Sequence, residues 1–101
     1  MIIYKNMKLF QMPQFKRYVK KLPRQFQQAV LDAIEEVLAN PKVGQLKKGD
    51  LKGFRIHKFT MGRQLTLMAY NVENGSLVLY QVGPHENFYK DLKKYLKEIG
   101  G

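Results

Sequence analysis

Apolar residues recur along this 101-residue chain with two different periods, and the change of period divides it. Met7 to Gln11 reads as a short strand, with Ile2, Ile3 and Tyr4 able to extend it backwards. Pro13 then stands where the first turn of a helix tolerates a missing N–H. Phe15, Tyr18, Val19 and Leu22 follow at i, i+3, i+4 and i+7, one apolar helical face with lysines opposite. Pro23 stops that helix. Phe26, Val30, Ala33, Ile34, Val37 and Leu38 mark the buried stripe of a longer one, which Asn40-Pro41 ends because a residue before proline is biased out of the helical region. Two helices joined by so short a link form an antiparallel hairpin.

From Lys42 to Gly53 the chain is polar and aperiodic, a loop with room for one short strand. Beyond it the period drops to two. Phe54–Phe59 is expected as a strand, Met61-Gly62-Arg63 as a turn and Gln64–Val72 as a second strand. Glu73-Asn74-Gly75 is a hairpin turn, since Asn-Gly adopts the left-handed backbone that two-residue hairpin loops require. Ser76–Val82 is a third strand, and its mostly apolar run predicts a central place in the sheet. Gly83-Pro84 is expected as the corner leading to a last helix, marked by Phe88, Leu92, Tyr95, Leu96 and Ile99. The order β-α-α-β-β-β-α predicts a single α+β domain over residues 1–101. Its architecture is an antiparallel β-sheet meander with an N-terminal helical hairpin and a C-terminal helix, the helices on one face.

Charge changes this picture from a generic domain to one with a preferred kind of partner. Eighteen Lys and Arg against eight Asp and Glu give a net charge of +10, a field that favours polyanions. One cluster, Lys16, Arg17, Lys20, Lys21 and Arg24, falls on the first helix and its exit. The other runs from Lys42 through Lys47, Lys48, Lys52, Arg55 and Lys58 to Arg63, with Asp50 the lone acid. No apolar run has the length of a membrane span, the N-terminus lacks signal-peptide features, and there is no cysteine. The chain reads as a cytoplasmic protein with no membrane partner.

Candidate chemistry is limited. The two histidines, His57 and His85, have no acidic residue at ligand spacing from both, so neither a metal nor another cofactor is expected. The one serine, Ser76, belongs to a hairpin, and no glycine-rich phosphate loop opens a helix. What remains is the strand at 54–59, where alternation puts Arg55 and His57 on one face, and the segment Val82-Gly83-Pro84-His85 with Tyr89 four residues on. A solvated polar face accounts for the strand equally well, and either His85 or Asn87 can cap the last helix. If these residues converge, they suit RNA cleavage. Attack of a ribose 2′-OH on the adjacent phosphate needs a base, donors for the charged phosphorane and an acid for the leaving oxygen. Histidine can act as base or acid near neutral pH, and a tyrosine can stack on a base.

The ordered set Met12-Pro13-Gln14-Phe15-Lys16-Arg17, Lys21-Leu22-Pro23, Asn40-Pro41 and Leu46-Lys47-Lys48-Gly49-Asp50-Leu51-Lys52-Gly53 resembles the RelE/ParE toxin superfamily of bacterial type II toxin–antitoxin pairs. Leu67-Met68-Ala69-Tyr70-Asn71-Val72 and the Val82–Tyr89 segment extend the likeness, which is nearest the ParE-like subgroup. The resemblance implies a toxin held by an acidic antitoxin protein in a hetero-oligomer, acting either on the ribosome and mRNA as a nuclease or on DNA gyrase as an inhibitor. On the first reading His85, Arg55, His57 and Tyr89 are the catalytic set, and Arg63, Lys47, Lys48, Lys52 and Lys58 contact RNA phosphates. RelE-type enzymes commonly carry an arginine where this chain has Leu67, a departure that keeps gyrase inhibition open. A basic RNA-binding domain without catalysis is the third reading.

Overall fold

The computed structural model describes residues 7–100, and the expected backward extension of the first strand through Ile2, Ile3 and Tyr4 lies outside them. Strand β1 (Lys8–Gln11) leads into α1 (Pro13–Lys20) and α2 (Arg24–Ala39). A two-residue strand β2 (Gln45–Leu46) and one 3-10 turn (Gly49–Leu51) occupy the polar segment. Strands β3 (Arg55–Met61), β4 (Gln64–Glu73) and β5 (Ser76–Pro84) form the meander, and α3 (Phe88–Gly100) closes the chain. Pro13 is at the start of α1, as its fixed φ allows, and Pro23 is the N-cap of α2 rather than part of α1. Asn74, at φ 50, and Gly75, at φ 78, make the tight β4–β5 turn.

The five strands lie in the order β1-β5-β4-β3-β2. The β3–β4 and β4–β5 pairs are antiparallel as expected, whereas β1 lies parallel to β5, Lys8 opposite Ser76 and Gln11 opposite Leu79. The sheet is therefore mixed. Because β1 stops at Gln11, the Gln81–Pro84 half of β5 has β4 as its one strand neighbour. Gly83 and Pro84 stay in the ladder there, opposite Leu67 and Thr66, so the corner falls at His85–Asn87 and not at Gly-Pro. A strand edge is where proline's missing donor does least harm.

The helices do not share one face. The hairpin covers one side, where Phe15, Val30, Ala33, Ile34 and Val37 meet Met61, Met68, Tyr70, Leu77, Leu79 and Val82. Helix α3 covers the other, with Phe88 and Leu92 on Ile56, Leu67, Ala69 and Leu51. The reason is in β4: Leu67, Met68, Ala69 and Tyr70 are all 0% exposed, and successive side chains point to opposite faces. A single helical layer would leave half of them in water, at a cost of about 1.5–3 kcal/mol for each large side chain.

Two side chains on the hairpin face hold the segment between α2 and β2. The buried Tyr70 hydroxyl donates to the Pro41 carbonyl at 2.7 Å and accepts from the Gly44 N–H at 2.9 Å. The Arg55 guanidinium donates to the carbonyls of Gly44, at 2.8 Å, and Lys42, at 3.3 Å. A Cβ on Gly44 would stand 2.7 Å from the Tyr70 Oη. Gly44→Ala is therefore expected to lower stability by about 1–3 kcal/mol in urea unfolding, since Tyr70 has no room to retreat. A midpoint equal to that of the parent would contradict this packing.

Burial raises the pKa of Tyr18, Tyr70 and Tyr80 above 10.0; at Tyr70 it outweighs the opposing Gly44 N–H and Arg55 charge. A phenol raised in the folded state contributes stability that is complete below its unfolded pKa and lost as pH climbs through the folded value. Stability should thus fall more steeply with pH above 10.0 in the parent than in Tyr70→Phe, which lacks that titration. Urea midpoints measured across that range compare the two slopes.

Candidate functional site

The residues singled out in the sequence divide between the two faces of the sheet. Arg55 and His57 do share a face, but it is the hairpin face. Arg55 is occupied by the carbonyls of Lys42 and Gly44. His57 Nε2 is 2.9 Å from Glu36 Oε1, its ring stacks on Phe59 at 6.1 Å, and its side chain is 11% exposed. Both are built into the packing of β3 against α2 and its exit.

The other face brings together Lys47, Lys48 and Tyr89, with Lys58 on the same side of β3. Lys47 follows β2, and its backbone N–H bonds to the Phe54 carbonyl at 2.9 Å, which fixes the direction in which the side chain leaves. Its ammonium lies 5.0 Å from the centroid of the Tyr89 ring, within cation–π range. Tyr89, half-buried in the first turn of α3, packs on the α3-side core and meets Phe88 edge-on at 5.7 Å. Lys47, Lys48, Asp50, Leu51, Tyr89 and Lys93 line a depression of about 270 Å³. Leu51 is buried at its floor, while the 3.7 Å Lys93–Asp50 pair is exposed and weak. Three lysines against one aspartate leave the depression cationic. Lys93 was not among the expected residues, although it stands four places after Tyr89, the spacing at which helical side chains are neighbours.

His85 stands at the corner before α3 and lines a separate, open hollow with Glu86, Asn87, Tyr89 and Lys90, which shares Tyr89 with the lysine-lined depression. Its N–H donates to the Leu65 carbonyl at 3.2 Å and its own carbonyl accepts from Phe88 N–H at 3.2 Å, so both backbone groups are engaged. Asn87, at φ 61, takes the cap position: its carbonyl receives the Asp91 N–H at 2.9 Å. The imidazole of His85 is exposed and, among the described residues, makes no hydrogen bond. Lys58 pairs with Leu67, whose side chain belongs to the α3-side core, so alternation points it to this face too. Arg63 lies in the β3–β4 turn at the end of the sheet where His85 is tied to Leu65, and Lys52 follows the 3-10 turn. Lys48, Lys52, Lys58 and Arg63 are all exposed.

This arrangement presents a polyanion with cations at several heights, an aromatic ring and one free imidazole. Among the described residues, no three His, Cys, Asp or Glu side chains lie close enough to hold a metal ion, and no helix is long and apolar enough to cross a membrane. Solved structures share the fold at low identity. A double mutant of the E. coli toxin RelE in the free state superposes with a TM-score of 0.70 at 17% identity, over 90% of this chain and 98% of that one. The RelBE2 toxin–antitoxin complex of Mycobacterium tuberculosis gives 0.67 at 18% identity, over 79% and 99%. The YoeB/ParE toxin of Agrobacterium tumefaciens gives 0.63 at 18%, over 78% and 99%. No curated protein sequence matches significantly. Residues 9–93 match the model of the ParE-like toxin of type II bacterial toxin–antitoxin systems, and the chain therefore belongs to that family, within the RelE/ParE superfamily.

Proposed function

We propose that this toxin is a ribosome-dependent mRNA endoribonuclease that arrests translation in the cytoplasm until an acidic antitoxin covers its basic face. The observation that carries the reading is the exposed His85 imidazole, without a hydrogen-bond partner among the described residues, in a hollow that it lines with Tyr89, the residue shared with the lysine-lined depression. In the reaction the His85 imidazole takes the proton of a ribose 2′-OH as that oxygen attacks the adjacent phosphorus. Lys47, Lys48 and Lys93 stabilise the charge that develops on the phosphorane oxygens, with Lys58 and Arg63 reaching the flanking phosphates. The imidazolium then returns its proton to the departing 5′-oxygen, leaving a 2′,3′-cyclic phosphate and a 5′-hydroxyl. Tyr89 holds the substrate in register, and its ring is steadied by Lys47. Arg55 and His57, engaged on the opposite face, have no part in these steps.

A second reading draws on that same separation. With two of the expected catalytic side chains occupied elsewhere, the cationic face can serve as a binding surface alone, the mode of a gyrase inhibitor. Induction of His85→Ala in cells distinguishes the two. On the nuclease reading, loss of the acid/base group slows cleavage by about 10²–10⁴-fold and growth arrest disappears. Mapping of mRNA ends in the parent should show cuts at fixed positions within codons. Undiminished killing by His85→Ala, with a DNA-damage response and intact mRNA, would establish the gyrase reading instead.

A further inference from the structure

Strand β2 presents a difficulty of its own. It is two residues long, both exposed, and it hangs on the edge of the sheet by the pairs Gln45–Ile56 and Leu46–Arg55. A strand so short has little hold on its own register. Yet Lys47 and Lys48 follow it directly, and the position of Lys47 relative to the Tyr89 ring depends on where it ends.

Beyond those pairs and the Lys47 N–H bond to the Phe54 carbonyl, the segment just before β2 is held from the opposite side of the sheet. Tyr70, fully buried under the hairpin, holds the Pro41 carbonyl and the Gly44 N–H with one hydroxyl. Arg55 holds the carbonyls of Lys42 and Gly44 with one nitrogen. Together they engage three carbonyls and one N–H in the four residues before β2. Gly44 allows the close approach. We infer that Tyr70 and Arg55 are positioning residues: from the hairpin face they lock Pro41–Gly44, set the register of β2, and so place Lys47 against Tyr89 on the far face. Neither side chain touches the substrate. The functional consequence rests on the reading of that far face as the RNA site; the geometric consequence does not.

The test uses the full chain and two variants, Tyr70→Phe and Arg55→Gln. The latter keeps a polar side chain at a partly exposed position and folds even if the former does not. Glu36→Ala serves as the control, because it removes the His57 contact on the same face without touching the strap. Two-dimensional NMR should show the Lys47 amide and the Tyr89 ring signals displaced in both strap variants and unmoved in the control. Affinity for a short single-stranded RNA should fall roughly 3- to 10-fold in each strap variant, the scale of one or two lost hydrogen bonds. Combining either with Lys47→Ala should weaken binding no further than Lys47→Ala alone, because the strap acts through that lysine. Unmoved Lys47 and Tyr89 signals, or a loss fully additive with Lys47→Ala, would overturn the inference. A parent chain that binds neither this RNA nor a ribosome carrying mRNA would sink the nuclease reading, and the NMR comparison would still decide the role of the strap.

Discussion

Burial of β4 on both faces is the constraint from which the rest of this molecule follows. Leu67, Met68, Ala69 and Tyr70 are wholly enclosed in succession, and a pleated strand cannot turn them to one side. Two helical layers are required, the hairpin against Met68 and Tyr70 and α3 against Leu67 and Ala69. Once the layers are set, the neighbouring strand has no freedom. Arg55 and His57 take the hairpin side, Ile56 and Lys58 the α3 side, and the basic surface is divided accordingly.

Most of the elements were legible because their periods are strong. The stripe of α2, the i, i+4, i+7 spacing of α3 and the Asn74-Gly75 turn are local signals that tertiary packing reinforces. Two features were not legible. The run from Leu65 to Tyr70 has no polar face, and a strand with no polar face fits one covered sheet or two equally well until the helices are placed. Parallel pairing of β1 with β5 has no local signature at all, since its partner lies across both hairpin helices and three further strands.

The site was legible in the same uneven way. His85 and Tyr89 stand at a helical spacing, and Lys47 and Lys48 stand in a charge cluster, so sequence pattern brings them forward. Alternation also put Arg55 and His57 together. It could not say which layer they face, nor that backbone carbonyls and Glu36 would occupy them. Those carbonyls belong to a segment with no period, whose need for donors is visible only in three dimensions. Pro41 reads as a helix stop, and Gly44 in a polar loop passes for ordinary turn chemistry.

The pairing of β1 with β5 bears on when the protein becomes what it is. Closing a contact between segments so far apart in sequence costs chain entropy that nearby pairs avoid, and such topologies assemble slowly. During synthesis, β1 leaves the ribosome long before Ser76–Leu79 exists to receive it. The cationic depression is later still, for Lys47 must wait for Tyr89 and Lys93. Once Arg63 has been added the nascent chain carries the +10 of the finished toxin but not its surface, and a product truncated before α3 lacks that surface altogether.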